Sequence, residues 1–113
     1  MIYDAYEVVV VPFPFTDRSA DKRRPALVLS SGSAFGNRAR HSVMAMITSE
    51  KDGAARWPLD VAITDLRAAG LPAASIVRMK LFTLDHRLVI RRLGRLSTSD
   101  RASVAGAVGK LLG

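Results

Sequence analysis

Residues 8–15, Val8-Val9-Val10-Val11-Pro12-Phe13-Pro14-Phe15, form an unbroken apolar run, and a second apolar run covers residues 26–29. Apolar runs of this length bounded by Pro and by Asp or Ser clusters read as β-strands. The polar loop between them ends in Lys22, Arg23 and Arg24. Pro25 follows at once, and a proline pushes the preceding residue towards extended backbone angles. Arg24 is therefore presented from a fixed point at a strand entrance. A guanidinium held in that way suits a phosphate, whose oxygens match its planar fork of donors.

The rest of the chain reads as further short strands. Residues 31–37 are a Gly- and Ser-rich connector with room for a short helix. Residues 42–48, with Val43, Met44, Met46 and Ile47, predict a third, largely buried strand, stopped by the charge and glycine of residues 48–53. Residues 57–63 alternate as a half-buried strand, residues 65–70 suit a helical turn, and Gly70-Leu71-Pro72 stops it. Residues 75–78 begin another extended segment that continues through residue 84. Residues 87–93 predict a last strand, broken by Gly94. Ser97 and Asp100 then have the spacing of a capping box, and Val104, Val108, Leu111 and Leu112 form one apolar stripe of a terminal helix. Six or so short strands with frequent turn signals, followed by one helix, predict a mainly β fold: a small barrel or strongly bent sheet. The 113 residues suffice for one domain, spanning residues 1–113, and leave no room for a second.

Charge narrows the choice of partner. Seventeen Lys and Arg against ten Asp and Glu give a net +7, and thirteen of the seventeen are Arg. Arg makes bidentate phosphate contacts and stacks on bases, so a polyanion such as nucleic acid is the first candidate. Between residues 75 and 101 seven cations face only two acids, Asp85 and Asp100. There is no cysteine, which removes disulfides, thiolate catalysis and zinc–thiolate sites. His41 and His86 are too few for a metal site, so no metal and no cofactor are expected. The N-terminal residues lack the pattern of a signal peptide and no apolar run approaches a membrane span, so the expectation is a cytoplasmic protein without membrane contact.

No phosphate-binding glycine loop, dinucleotide fingerprint or nucleophile elbow occurs. What remains is the basic loop, a threonine at a strand end and the basic C-terminal third. RNA carries its own nucleophile, the 2′-hydroxyl. A protein that cleaves it needs to orient that hydroxyl, stabilise charge on the transition state and handle two protons. An Arg and a Thr at convergent strand ends are chemically sufficient for the charge stabilisation and one hydrogen bond.

Pro12-Phe13-Pro14-Phe15-Thr16-Asp17 followed by Lys22-Arg23-Arg24-Pro25-Ala26-Leu27-Val28-Leu29-Ser30 resembles the first two strands of the MazF/PemK/Kid toxin family. The resemblance continues through Ile47-Thr48-Ser49, Trp57-Pro58-Leu59-Asp60-Val61, Gly70-Leu71-Pro72, Ser75-Ile76-Val77-Arg78, Thr83-Leu84-Asp85 and Leu93-Gly94-Arg95-Leu96-Ser97. It implies an SH3-like barrel with a C-terminal α-helix, acting as a homodimer. It also implies a metal-independent endoribonuclease that cuts single-stranded RNA to leave 2′,3′-cyclic phosphate and 5′-hydroxyl ends. Its implied partner is a cognate antitoxin, a short DNA-binding protein with an acidic tail. The family's catalytic Arg falls on Arg24 and its Thr on Thr48. Lys22, Arg23, Ser49, Arg78 and Lys80 are the corresponding RNA-binding candidates. Kid-like members carry an Arg-x-Asp pair where this chain has Arg78 and Lys80, so the family's carboxylate is replaced by a lysine. Asp17 and Asp21 are the substitute candidates for the base. Two other readings compete. A gyrase poison of the CcdB type shares the barrel, but residues 109–113 lack that group's Trp-Gly-Ile ending. A catalytically silent RNA- or partner-binding module would follow from Lys80 in the carboxylate position.

Overall fold

The structure, a computed structural model, describes residues 2–13, 22–50 and 55–113. Strands β1 (Glu7–Phe13), β2 (Lys22–Val28), β3 (His41–Ser49), β4 (Val61–Ala62), β5 (Ser75–Asp85) and β6 (Arg91–Arg95) form one sheet. Their order is β4-β5-β3-β2-β1-β6, every pairing is antiparallel, and the sheet curls into a half-barrel. A π-helical turn (Gly32–Gly36) and α1 (Asn37–Ala39) join β2 to β3; α2 (Leu66–Ala69) joins β4 to β5; α3 (Thr98–Leu112) ends the chain. The mainly β fold with a terminal helix is as the sequence predicts.

Both faces of the sheet are covered, and this explains the unbroken apolar run. Successive side chains of a strand point to opposite faces. Val8 packs with Leu27, Ala45, Ile47, Val77 and Val104 of α3, whereas Val9 and Val11 pack with Ala26, Val28 and Met44 on the other side. A strand buried on both faces has no polar positions to alternate with.

Three expectations change. Residues 57–63 are not one strand: Trp57–Asp60 is a turn closed by Asp60 N–H on the Trp57 carbonyl (3.2 Å), and only Val61–Ala62 pair. The Asp60 carboxylate accepts the Trp57 backbone N–H at 2.8 Å, which offers the backbone an alternative to a ladder. The last strand starts later than predicted, because residues 86–88 form a 3₁₀ turn. Gly94 does not end that strand but lies inside it, where a Cβ would collide with the Ala68 carbonyl; its bare backbone is what admits α2. Gly70, at φ +73°, makes the reciprocal approach to Leu93.

Ser97 caps α3, its Oγ accepting the Asp100 N–H at 3.2 Å, but Asp100 does not complete the reciprocal box. Its carboxylate, 2% exposed, turns to the residues after β4, accepting from Thr64 N–H (3.0 Å), Thr64 Oγ1 (2.7 Å) and Asp65 N–H (3.0 Å). Burial pushes this carboxyl up, but the hydrogen bonds outweigh it and hold it below the usual range. A group with a depressed folded-state pKa stabilises the fold above its unfolded value and ceases to do so as pH falls through the folded value. Asp60 is lowered too, first through its hydrogen bonds with Arg78. Acid unfolding followed by circular dichroism is therefore expected to begin below about pH 4, the ordinary carboxylate value. Stability already falling between pH 7 and pH 5 would contradict this.

On α3, Val104 is buried and Val108 half-buried, but Leu111 and Leu112 are exposed, Leu112 by 72%. The predicted stripe therefore covers the sheet only along its first part.

Candidate functional site

The basic residues sit where the sheet divides. The ladder between β2 and β3 is confined to Ala26–Val28 against Met44–Met46. Towards its N-terminal end β2 stays paired with β1 alone, Val11 opposite Arg24 and Phe13 opposite Lys22. Beyond Met46, β3 stays paired with β5 alone, Thr48 opposite Ile76. The two strands part, and a cleft of about 190 Å³ lined by Phe13, Arg24, Met46, Ile47, Thr48, Arg78 and Lys80 lies between them. Pro25 is the last residue before the pairing with β3 begins, an edge position where a missing N–H is tolerated.

Lys22, Arg23 and Arg24, expected in a loop at the strand entrance, are themselves part of β2. The ladder with β1 carries the strand back to Lys22. Register then decides which side chains meet. Arg24 shares a face with Val11 and Phe13 through its pairing, and Ala26, two residues on, lies opposite Met46. Side chains two apart share a face, so Arg24 and Thr48 stand on one side of the parted sheet. The Arg24 guanidinium lies 5.4 Å from the centre of the Phe13 ring, a cation–π contact that holds it at the cleft wall. Among the described residues it has no carboxylate partner, and Thr48 Oγ1 has no hydrogen bond.

A bulge places Lys80. Met46 is opposite Arg78 but Ala45 is opposite Leu81, so Met79 and Lys80 have no cross-strand partners. Bulges bend a strand and re-aim its side chains, and Lys80 emerges exposed at the cleft. Arg78, beside it, is only 9% exposed. Its Nε and Nη2 donate to Asp60 Oδ1 (3.2 Å) and Oδ2 (2.9 Å), and Nη2 also donates to the Ala55 carbonyl (3.1 Å). The Asp60 carboxylate is thereby held ionised and is the weaker a base for it.

On the other side of Arg24 lies a second groove of about 380 Å³, lined by Arg23, Pro25, Ser49, Leu71, Pro72 and Ser75 among others. Lys22 and Arg23 are exposed, and Ser49 sits opposite Ser75 at the strand end. Asp17 and Asp21 lie outside the described residues. The histidines are remote from the cleft walls. His86 is buried, its Nε2 2.7 Å from Ser42 Oγ, and His41 Nδ1 lies 2.9 Å from the Ala39 carbonyl. Among the described residues no three His, Asp or Glu side chains gather closely enough to hold a metal ion. Nor is any helix long and apolar enough to cross a membrane.

Two residues of this arrangement had no signal in the sequence. Phe13 is one of two aromatics in the first apolar run, and its tie to Arg24 follows only from the β1–β2 register. Asp60 reads as an alternating polar position until the turn folds its carboxylate onto Arg78.

A family model described as PemK-like, MazF-like toxin of type II toxin-antitoxin system matches residues 4–112. None of the curated proteins compared is significantly similar in sequence. Among solved structures, the MazE–MazF complex from Deinococcus radiodurans (crystal form II) superposes with a TM-score of 0.74 at 25% identity, covering 100% of this chain and 97% of that one. MazF alone from the same organism (form I) gives 0.73 at 26% identity, covering 99% and 97%. An endoribonuclease in complex with its cognate antitoxin from a mycobacterial species gives 0.72, covering 98% and 93%; at 15% identity it speaks for the fold alone.

Proposed function

The chain belongs to the PemK-like, MazF-like toxin family of type II toxin–antitoxin systems, and we propose on that footing that it is an endoribonuclease which cleaves single-stranded RNA at the cleft between β2 and β3. The observation that carries this reading is the meeting of Arg24, free of any described carboxylate, with Thr48 and Lys80 in one cleft. In the reaction the 2′-oxygen bonds to the adjacent phosphorus as the bond from phosphorus to the 5′-oxygen breaks. One proton leaves the 2′-hydroxyl and one joins the departing 5′-oxygen. The products are a 2′,3′-cyclic phosphate and a 5′-hydroxyl.

Arg24 stabilises the charge that builds on the phosphoryl oxygens and supplies the proton for the 5′-oxygen. Arg is a poor proton acceptor because its pKa exceeds about 12. Thr48 Oγ1 donates one hydrogen bond to the same phosphate. Lys80 contacts phosphate in place of the family's carboxylate. Lys22, Arg23 and Ser49 guide the strand along the adjoining groove. Arg78, paired with Asp60, shapes the cleft wall and presents its remaining N–H groups to RNA. The accepting base is assigned to Asp17 or Asp21, in the segment joining β1 to β2. A homodimer and an acidic-tailed antitoxin complete the proposal, the acidic tail complementing the chain's net +7.

The test is incubation of a long single-stranded RNA with the purified, antitoxin-free protein in EDTA, with mapping of the ends. Discrete cuts bearing cyclic phosphate are expected. RNA that is bound but left intact would favour the silent binding module, and RNA neither bound nor cut would end the reading. Thr48→Val keeps the β-branched shape the strand favours but removes the hydroxyl. It is expected to lower the cleavage rate about 100-fold, the smaller end of the loss for one transition-state donor, with unfolding temperature unchanged. An unaltered rate would remove Thr48 from the site.

A further inference from the structure

We propose that Trp57 is a stacking platform for a nucleobase of the RNA, set beside the phosphate-binding cleft; the inference rests on the RNA-cleaving reading above and adds the residue that grips a base. Trp57 is the only tryptophan of the chain and is 44% exposed. Exposed apolar side chains are common and need no explanation singly, but this one is built in. The Arg78 guanidinium carbon lies 5.1 Å from the ring centre. That guanidinium is clamped by both oxygens of Asp60, and Asp60 Oδ2 also accepts the Trp57 backbone N–H at 2.8 Å. One nearly buried carboxylate therefore fixes the indole's backbone and the cation against its ring, with side-chain exposures of 3% for Asp60 and 11% for Arg78.

The position is as informative as the rigidity. Arg78 is part of the cleft wall together with Arg24, Thr48 and Lys80. The indole is thus one side chain removed from the cleft in which a phosphate would sit. The indole Nε1–H has no protein acceptor among the described residues, leaving an edge donor for a base. Single-stranded nucleic acid is gripped by this combination, cations that track the backbone and aromatic faces on which bases stack, and stacking tolerates any base because each has a π-face. A rigid aromatic holds a base without the entropy cost of ordering a flexible side chain.

Being the sole tryptophan, Trp57 reports on itself. The full-length protein is titrated with single-stranded 2′-O-methyl RNA of mixed sequence, which lacks the nucleophile and stays uncut. Saturable quenching of the indole emission is expected, with acrylamide access to the ring lost in the complex. In cleavage of ordinary RNA, Trp57→Leu keeps apolar bulk without a flat ring and is expected to raise KM about 10- to 100-fold, the equivalent of one stacked base. Its kcat stays within a few-fold, and Trp57→Phe recovers most of the loss. RNA cut normally with the emission unchanged and KM unaffected in Trp57→Leu would overturn the platform while leaving the ribonuclease reading intact. An indole already shielded from acrylamide in the free protein, in a concentration-dependent way, would assign the ring to a contact between copies and would equally overturn it. So would a Trp57→Leu protein that fails to fold, since the ring would then be structural. Absence of both binding and cleavage would remove the underlying reading as well.

Discussion

Replacing Arg24 with Ala is expected to lower RNA cleavage by about 100- to 1000-fold, the usual consequence of removing one preorganised donor from a developing oxyanion. The loss belongs in kcat, because the interaction strengthens as charge builds on the phosphoryl oxygens and is weaker in the ground state. Stability is expected to change by about 1 kcal/mol or less, since among the described residues the guanidinium is held by its cation–π contact to Phe13 and by no carboxylate. Arg24→Lys should recover only part of the rate: the charge returns, but the planar fork that meets two oxygens does not. Product formation by denaturing gel and thermal unfolding of the same preparations decide the matter. A folded Arg24→Ala protein that cuts at the original rate would move the chemistry away from the cleft.

The second large effect concerns folding. Asp100→Ala removes the buried carboxylate that accepts from Thr64 N–H, Thr64 Oγ1 and Asp65 N–H. The mutation takes the acceptor from three part-buried hydrogen bonds whose donors belong to the exposed residues Thr64 and Asp65, where an unsatisfied buried donor would cost about 1–3 kcal/mol. A loss of about 3 kcal/mol is expected by urea unfolding, because some of the donors will find water. Asp100→Asn keeps acceptor capacity at one oxygen and is expected to lose less. The pH dependence offers a separate check: the difference between wild type and Asp100→Ala should be full at pH 7 and shrink below about pH 4, where the wild-type carboxyl takes up its proton. A difference that stays constant down to pH 2 would mean that the charge contributes nothing. The effect on cleavage should be indirect, since Asp100 ties α3 to the segment after β4 and is not among the cleft residues.

The expected strands survive where both faces are covered and fail where side chains take over the backbone's hydrogen bonds. Residues 8–11 and 42–48 are strands because their apolar side chains are needed on both sides of the sheet. Residues 57–60 alternate as a half-buried strand would, yet form a turn, since the Asp60 carboxylate binds both the Trp57 N–H and Arg78. Gly94 looked like a stop and is a contact surface, because a glycine's missing Cβ permits close approach in a strand as readily as it permits a turn.

The site divides along similar lines. Arg24, Thr48 and Lys80 were marked by the sequence, and the cleft contains all three. Arg78 was marked as well, but its commitment to Asp60 depends on a turn that local pattern does not reveal. By itself the sequence determined the apolar runs, the Arg-rich charge and the proline after Arg24, which are local properties of composition and spacing. Only the tertiary structure decided that β2 and β3 part just beyond Ala26, that a bulge in β5 turns Lys80 into the gap, and that an exposed indole lies against Arg78. Each of these depends on register between strands far apart in the chain, and register is set by how the whole sheet buries its two faces.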